Sequence, residues 1–300
     1  MKTGAMKCGS WLAAVLLLFA SPSVAAKTYS ASGLILHVDR ANRSVEVSCR
    51  AIPGYMDAMV MTLPVHTTEA LNKLKPGMII DFKLTVRKDA AYAEDIRVHA
   101  YENSAQEPMA ARQLEILEAA TGAPSRTEPT LEVGQAVPDF TLIDQKRESI
   151  TLSHLAGKVV AITFIYTRCP LPTFCFRMSN NFGVLHRRFA DRMGKDLVLL
   201  SITFDPEHDQ PDVLAEYART WTTDQTGWHF LTGPLADVQK VCRSFGVNSW
   251  QEEGFITHPL HTVLVDRQGR IVANIEGNEY TAKQLGDLVE AIINRPKLAH

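Results

Sequence analysis

Val159-Val-Ala-Ile-Thr-Phe-Ile-Tyr166 runs directly into Thr167-Arg-Cys169-Pro-Leu-Pro-Thr-Phe-Cys175-Phe-Arg-Met-Ser179. An unbroken apolar run bounded by a proline-rich break reads as a strand buried on both faces. A helical pattern takes over beyond Cys175, which puts both cysteines on a strand-to-helix loop. Leu197 to Phe204 (LVLLSITF) is a second run of the same kind. Amphipathic helices are expected near 176–193, 211–221, 235–245 and 281–294. A late hairpin is expected at Thr262 to Asp266 and Ile271 to Ile275, turning at Arg267-Gln-Gly269. Buried strands alternating with helices predict an α/β domain with a central sheet over residues 131–300.

The preceding part of the chain has a different grammar. Segments near 30–39, 44–50, 59–65, 78–86 and 91–98 are rich in Val, Ile, Leu, Met and Tyr. Asp39-Arg-Ala-Asn-Arg43, Lys75-Pro-Gly77 and Arg87-Lys-Asp89 separate them as turns. Five short strands in so few residues predict a small all-β barrel of OB type over residues 27–101. Residues 102–130 read as a linker, with a short helix from Met109 to Ala120 and an extended stretch from Gly122 to Pro129.

The first 26 residues read as a secretory signal peptide. Lys2 and Lys7 precede the apolar run Trp11 to Ala20, Ser21-Pro22 breaks it, and Ser23-Val24-Ala25-Ala26 offers small residues for cleavage. The run is too short to cross about 30 Å of hydrocarbon, so no stable membrane span is expected after cleavage. Cys8 would leave with the peptide.

The chain has 300 residues, enough for about two domains. With 46% hydrophobic and 21% charged residues it can bury ordinary cores, and a net charge of −2 gives no basic surface for nucleic acid. Beyond the signal peptide the cysteines are Cys49, Cys169, Cys175 and Cys242. They are too sparse for a disulfide scaffold, and the close pair suggests redox or metal chemistry.

Thiols at a helix N-terminus feel unpaired N–H groups and the positive end of the dipole, which lowers their pKa. The resulting thiolate serves as nucleophile or metal ligand, and the pair alone does not choose between the two. His258, in Phe255-Ile-Thr-His258-Pro-Leu-His261-Thr, is a candidate third member, although a lone histidine is usually structural. His261 competes with it, but strand alternation groups His261 with Val263 and Val265. Two thiolates and an imidazole suit copper: thiolates select Cu(I), and imidazole helps hold Cu(II). Cys242 falls on the apolar face of its helix and reads as packing.

Residues 133–295 resemble the Sco/SenC family of copper metallochaperones. The resemblance rests on Gly134-x-x-x-Pro-Asp-Phe-x-Leu142, Leu155-x-Gly-Lys158, the Tyr-Thr-x-Cys-Pro loop, Ser201-x-x-Phe-Asp-Pro206, and His258 followed by Thr262 to Asp266. It implies a thioredoxin-like fold, with copper held by Cys169, Cys175 and His258. Asp205 matches the family's acidic residue near the site, where it would support a ligand or act through its charge. The commonest family spacing is Cys-x3-Cys; this loop is longer by two residues.

A second resemblance lies at Ile52-Pro-Gly-Tyr-Met56-Asp-Ala-Met59-Val-Met61, which is similar to the signature of the periplasmic CusF-like copper-binding domain. Thioethers are soft, uncharged donors suited to Cu(I), though methionines at such spacing are more often core. Met59 and Met61 match that family's methionine ligands. Cys49 stands where its histidine is usually found, and Met56 stands near its tryptophan.

Together the resemblances imply a periplasmic, copper-binding metallochaperone. Its partner would be the copper subunit of a respiratory oxidase or another envelope copper protein. The rival is a thiol–disulfide oxidoreductase acting on an envelope or oxidase protein, in which Cys169 attacks and Cys175 resolves. A peroxidase comes third. A cis His258-Pro259 bond is a further expectation, from the cis-proline that thioredoxin folds often place near their cysteines.

Overall fold

The computed structural model describes residues 26–66, 68–87, 90–99, 130–247, 250–252, 255–257 and 260–295. The signal peptide, nearly all of the linker with its expected helix, and His258-Pro259 lie outside the described residues.

The first unit is all-β apart from one short helix. Its elements are β1 (Lys27–Asp39), β2 (Ser44–Cys49), β3 (Met59–Pro64), α1 (Thr68–Asn72), β4 (Ile79–Arg87) and β5 (Ala90–Val98). They form an antiparallel sheet in the order β3-β2-β1-β4-β5. The long β1 makes this possible. Its first half pairs with β4 and its second half with β2, and both ladders meet at Gly33 and Leu34. Gly33 is needed there, because a Cβ would sit 2.5 Å from Val47 Cγ1. The sheet folds over Ile35, Val45, Val47, Leu63, Phe82 and Leu84, with Leu71 of α1 packed in. Among the described residues the ladder does not close. The edge strands β3 and β5 approach each other at one isolated bridge, Val65 to Ala93.

The second unit opens with β6 (Thr141–Asp144), β7 (Ser149–Thr151) and β8 (Val159–Ile165). Then come α2 (Arg177–Arg188), β9 (Leu197–Thr203), α3 (Pro211–Trp221), β10 (Trp228–Thr232) and α4 (Leu235–Ser244). The chain ends with the small hairpin β11 (Trp250–Glu252) and β12 (Phe255–Thr257), then β13 (His261–Val265), β14 (Ile271–Glu276) and α5 (Ala282–Ile293). The main sheet runs β14-β13-β8-β9-β10-β6-β7. β8, β9 and β10 are parallel, while β13 and β14 are antiparallel to their neighbours. A central β-α-β followed by a β-hairpin and a helix is a thioredoxin-like arrangement.

Every residue of β8 and β9 is buried, as their apolar runs require. Helix α2 turns Met178, Phe182 and Leu185 onto the sheet, and α5 turns in Leu285, Leu288 and Ile292. A capping box holds the start of α5, with Thr281 and Gln284 satisfying each other's backbone N–H groups. Helix α2 stops at Arg188, short of the expected 193, where the chain tightens into a 3-10 turn at Ala190–Arg192.

The two units pack against each other. Leu34 and Leu36 point away from the first unit's core and join that of the second. Ser48 Oγ donates to Asp287 Oδ2 at 2.6 Å, and Gln284 Nε2 donates to the Ser48 carbonyl at 3.0 Å, both buried. Arg295 reaches the Leu36 carbonyl, and His99 Nε2 meets Glu279 Oε2 at 2.8 Å. Among the described residues no helix is long and apolar enough to cross a membrane.

Candidate metal centre

β8 ends at Ile165 and delivers Tyr166-Thr-Arg-Cys169 to the C-terminal end of the sheet's central strands. Pro172–Phe176 forms a wide turn that kinks at Phe174 (φ −104°, ψ −109°) before α2 begins. Cys175 is buried within this turn, while Cys169 is partly exposed. Both thiols are free and share a hydrogen bond.

That shared bond divides the pair. The Cys175 thiol, with backbone N–H groups of the turn, stabilises a Cys169 thiolate and lowers its pKa to about 6, against the opposing effect of burial. Cys175 holds its proton for Cys169 and is buried, so its own pKa is pushed well up. At pH 7 Cys169 is largely thiolate and Cys175 a thiol. In the reduced chain, iodoacetamide is expected to modify Cys169 first, with a rate that falls through a midpoint near pH 6 as the thiolate protonates. Peptide mapping by mass spectrometry checks this, and a midpoint at an ordinary thiol's value of about 8.5 would refute it.

The loop is anchored from below by two aspartates. Asp205 is buried and accepts from the exposed Arg168 at 2.6 Å, so it acts on the loop through the residue preceding Cys169. Asp209, fully buried, is not apparent from the sequence. It accepts from the Thr167 amide at 3.0 Å, from Thr167 Oγ1, and from Thr203 Oγ1 at 2.6 Å. Burial pushes its carboxyl pKa up against those bonds. The signal that could have found it is Asp205-Pro-Glu-His-Asp209 directly after a buried strand. Beneath the turn lies an aromatic cluster in which Phe176 meets Trp221 edge-on at 4.8 Å and Trp221 meets Tyr217 at 5.7 Å.

His261 is turned elsewhere. Its Nδ1 bonds Asn274 Oδ1 at 2.8 Å, while the next residue, Thr262, faces Tyr280 and Met178 of α2. Among the described residues no group of three or more His, Cys, Asp or Glu side chains could hold a metal. His258 lies outside those residues, so two thiols of the expected trio are on view. Cys242 is buried in α4, its pKa pushed up to about 12 by desolvation.

In the first unit, antiparallel register sets Cys49 opposite Met59 and Val47 opposite Met61. Alternation places Cys49, Met59 and Met61 on one face. Met59 is 48% exposed at the sheet edge and Cys49 only 1%. Burial pushes Cys49 up to about 11, so a metal must displace its proton to gain a thiolate. Met56 closes the short Ile52–Met56 turn nearby and packs against the same core.

Comparison with known proteins bears on both units. Residues 128–294 match the SCO1/SenC family model, and residues 28–98 match the model of copper binding periplasmic protein CusF. The SCO2-like protein RT0576 of Rickettsia typhi is 30% identical over 151 residues, which cover 47% of this chain and 69% of that protein. Protein sco1 of Schizosaccharomyces pombe is 24% identical over 205 residues, covering 65% and 71%. A copper-bound yeast Sco1 crystal structure is 26% identical with a TM-score of 0.47, covering 57% of this chain and 92% of that one. With the family model spanning more than half its length and the free dithiol on the strand-to-helix loop, this chain belongs to the SCO1/SenC family.

Proposed function

We propose that this protein is a periplasmic copper metallochaperone that binds copper as cargo at two places and delivers it for assembly of a respiratory oxidase. The observation that carries the reading is the divided dithiol, in which a ready thiolate at Cys169 lies beside a buried Cys175 on a loop held by Asp209. Soft thiolates at that position suit Cu(I). Binding would use the Cys169 thiolate as it stands and release the Cys175 proton, with His258 as third ligand and Asp205 holding the loop through Arg168. The second place is Cys49, Met59 and Met61, on a sheet that we read as an OB-type barrel joined at Val65 and Ala93. Family membership and the CusF-type match of the first unit support the copper reading, and the apolar run after Lys2 and Lys7 supports export.

Anaerobic Cu(I) titration of the full reduced chain tests this. The parent chain is expected to bind about two equivalents. Cys169→Ser/Cys175→Ser and Met59→Leu/Met61→Leu are each expected to bind about one. No binding by the parent chain defeats the proposal. So does unchanged binding by the cysteine variant.

A further inference from the structure

Three consecutive residues after β14 touch both units of the protein. Gly277 turns the chain at φ +82° and donates to the Leu260 carbonyl at 2.8 Å. Asn278, 1% exposed, donates from its amide to the carbonyl of Thr173, inside the Cys169–Cys175 loop. Glu279 accepts from Arg50, the neighbour of Cys49, at its carbonyl, and meets His99 at its carboxylate. Behind them Tyr280 is fully buried and bonded to Thr262 and to Met178 of α2. The carbonyl oxygen of the Asn278 side chain has no hydrogen-bond partner among the described residues. A buried amide left half satisfied is tolerated where its other half is needed.

We propose that Asn278 is a positioning residue for the cysteine loop, and that the docked first unit holds the 277–279 turn in the place where Asn278 does this. The tie favours the loop geometry seen here, in which the two free thiols lie within hydrogen-bond reach of each other. Closing a disulfide needs the two cysteine backbones at a restricted separation, so a loop released from Asn278 loses that approach and closes less readily. This goes beyond copper binding and rests on no metal.

The test is thiol–disulfide equilibrium of the full, metal-free chain with glutathione. One glutathione disulfide is consumed: the Cys169 thiolate attacks it and releases one glutathione, then Cys175 displaces the second. The Cys169–Cys175 bond forms as the glutathione bond breaks, and the chain loses the two electrons that glutathione gains. Asn278→Ala is expected to lower the equilibrium constant for this oxidation about tenfold, and Asn278→Asp, which removes the donor, to act likewise. Arg50→Ala, an exposed change in the first unit, is expected to lower it about threefold. Arg295→Ala, which cuts a docking bond away from the turn, is expected to leave it unchanged. Should Asn278 variants not fold, Arg50→Ala against Arg295→Ala decides. The proposal is overturned if the parent chain forms no disulfide, if folded Asn278 variants match the parent, or if Arg50→Ala shifts no more than Arg295→Ala. Because the assay contains no metal, a failure to bind copper leaves its result readable.

Discussion

The Cys169→Ser chain is expected to bind Cu(I) at the dithiol loop at least ~100-fold more weakly than the parent chain. The hydroxyl is a hard, uncharged donor at neutral pH, and it replaces the one group in the loop that is already an anion at pH 7. Cys175 does not make up the loss, because burial still holds its proton on after Cys169 is removed. Without Cys169, Cys175 remains a buried thiol, and a metal must take both its proton and its place in the core. Competition with a chromogenic Cu(I) chelator measures the change, in a Met59→Leu/Met61→Leu background so that the first unit does not mask it. An affinity within about threefold of the parent value would show that the sulfur of residue 169 is not a ligand.

The Trp228→Ala chain is expected to lose about 3–5 kcal/mol of stability. Trp228 is fully buried at the start of β10. It stacks on Phe230 at 4.8 Å, meets Phe182 of α2 at 6.3 Å, and donates from Nε1 to Ser201 Oγ at 3.0 Å. Alanine would leave a large cavity between sheet and helix and a buried hydroxyl without its donor, in packing too dense to collapse around the gap. For a domain of this size that is a fall in melting temperature of roughly 10 °C, readable by circular dichroism. A melting point within about 2 °C of the parent would mean that the neighbouring rings refill the space.

How well these features can be read from sequence depends on what each side chain does. Residues 159–166 and 197–204 announce buried strands because parallel strands are covered on both faces and need no polar alternation. The cysteine pair is legible because a proline-rich loop lies outside the regular elements in which purely structural cysteines pack. β10 is hard to read in the sequence: Trp228-His-Phe-Leu-Thr232 is short, and its histidine and threonine disguise a core strand. Asp209 is not legible because an aspartate looks solvated until two threonines from separate segments close over it. The docking of the two units did leave a trace. In Gly33-Leu-Ile-Leu36, neighbouring apolar residues point to opposite faces, so one set had to find cover outside its own sheet. Asn278 gives no such sign, since its meaning comes entirely from the loop across from it.

The burial of Leu34 and Leu36 bears on how this protein can be studied in pieces. Scissors placed anywhere between residues 100 and 130 would bare a greasy seam on each half, and each fragment would tend to cling to its neighbours in the tube. Metal counts taken on such fragments would describe a surface that the whole molecule keeps hidden, so silencing one site at a time in the uncut chain is the sounder dissection.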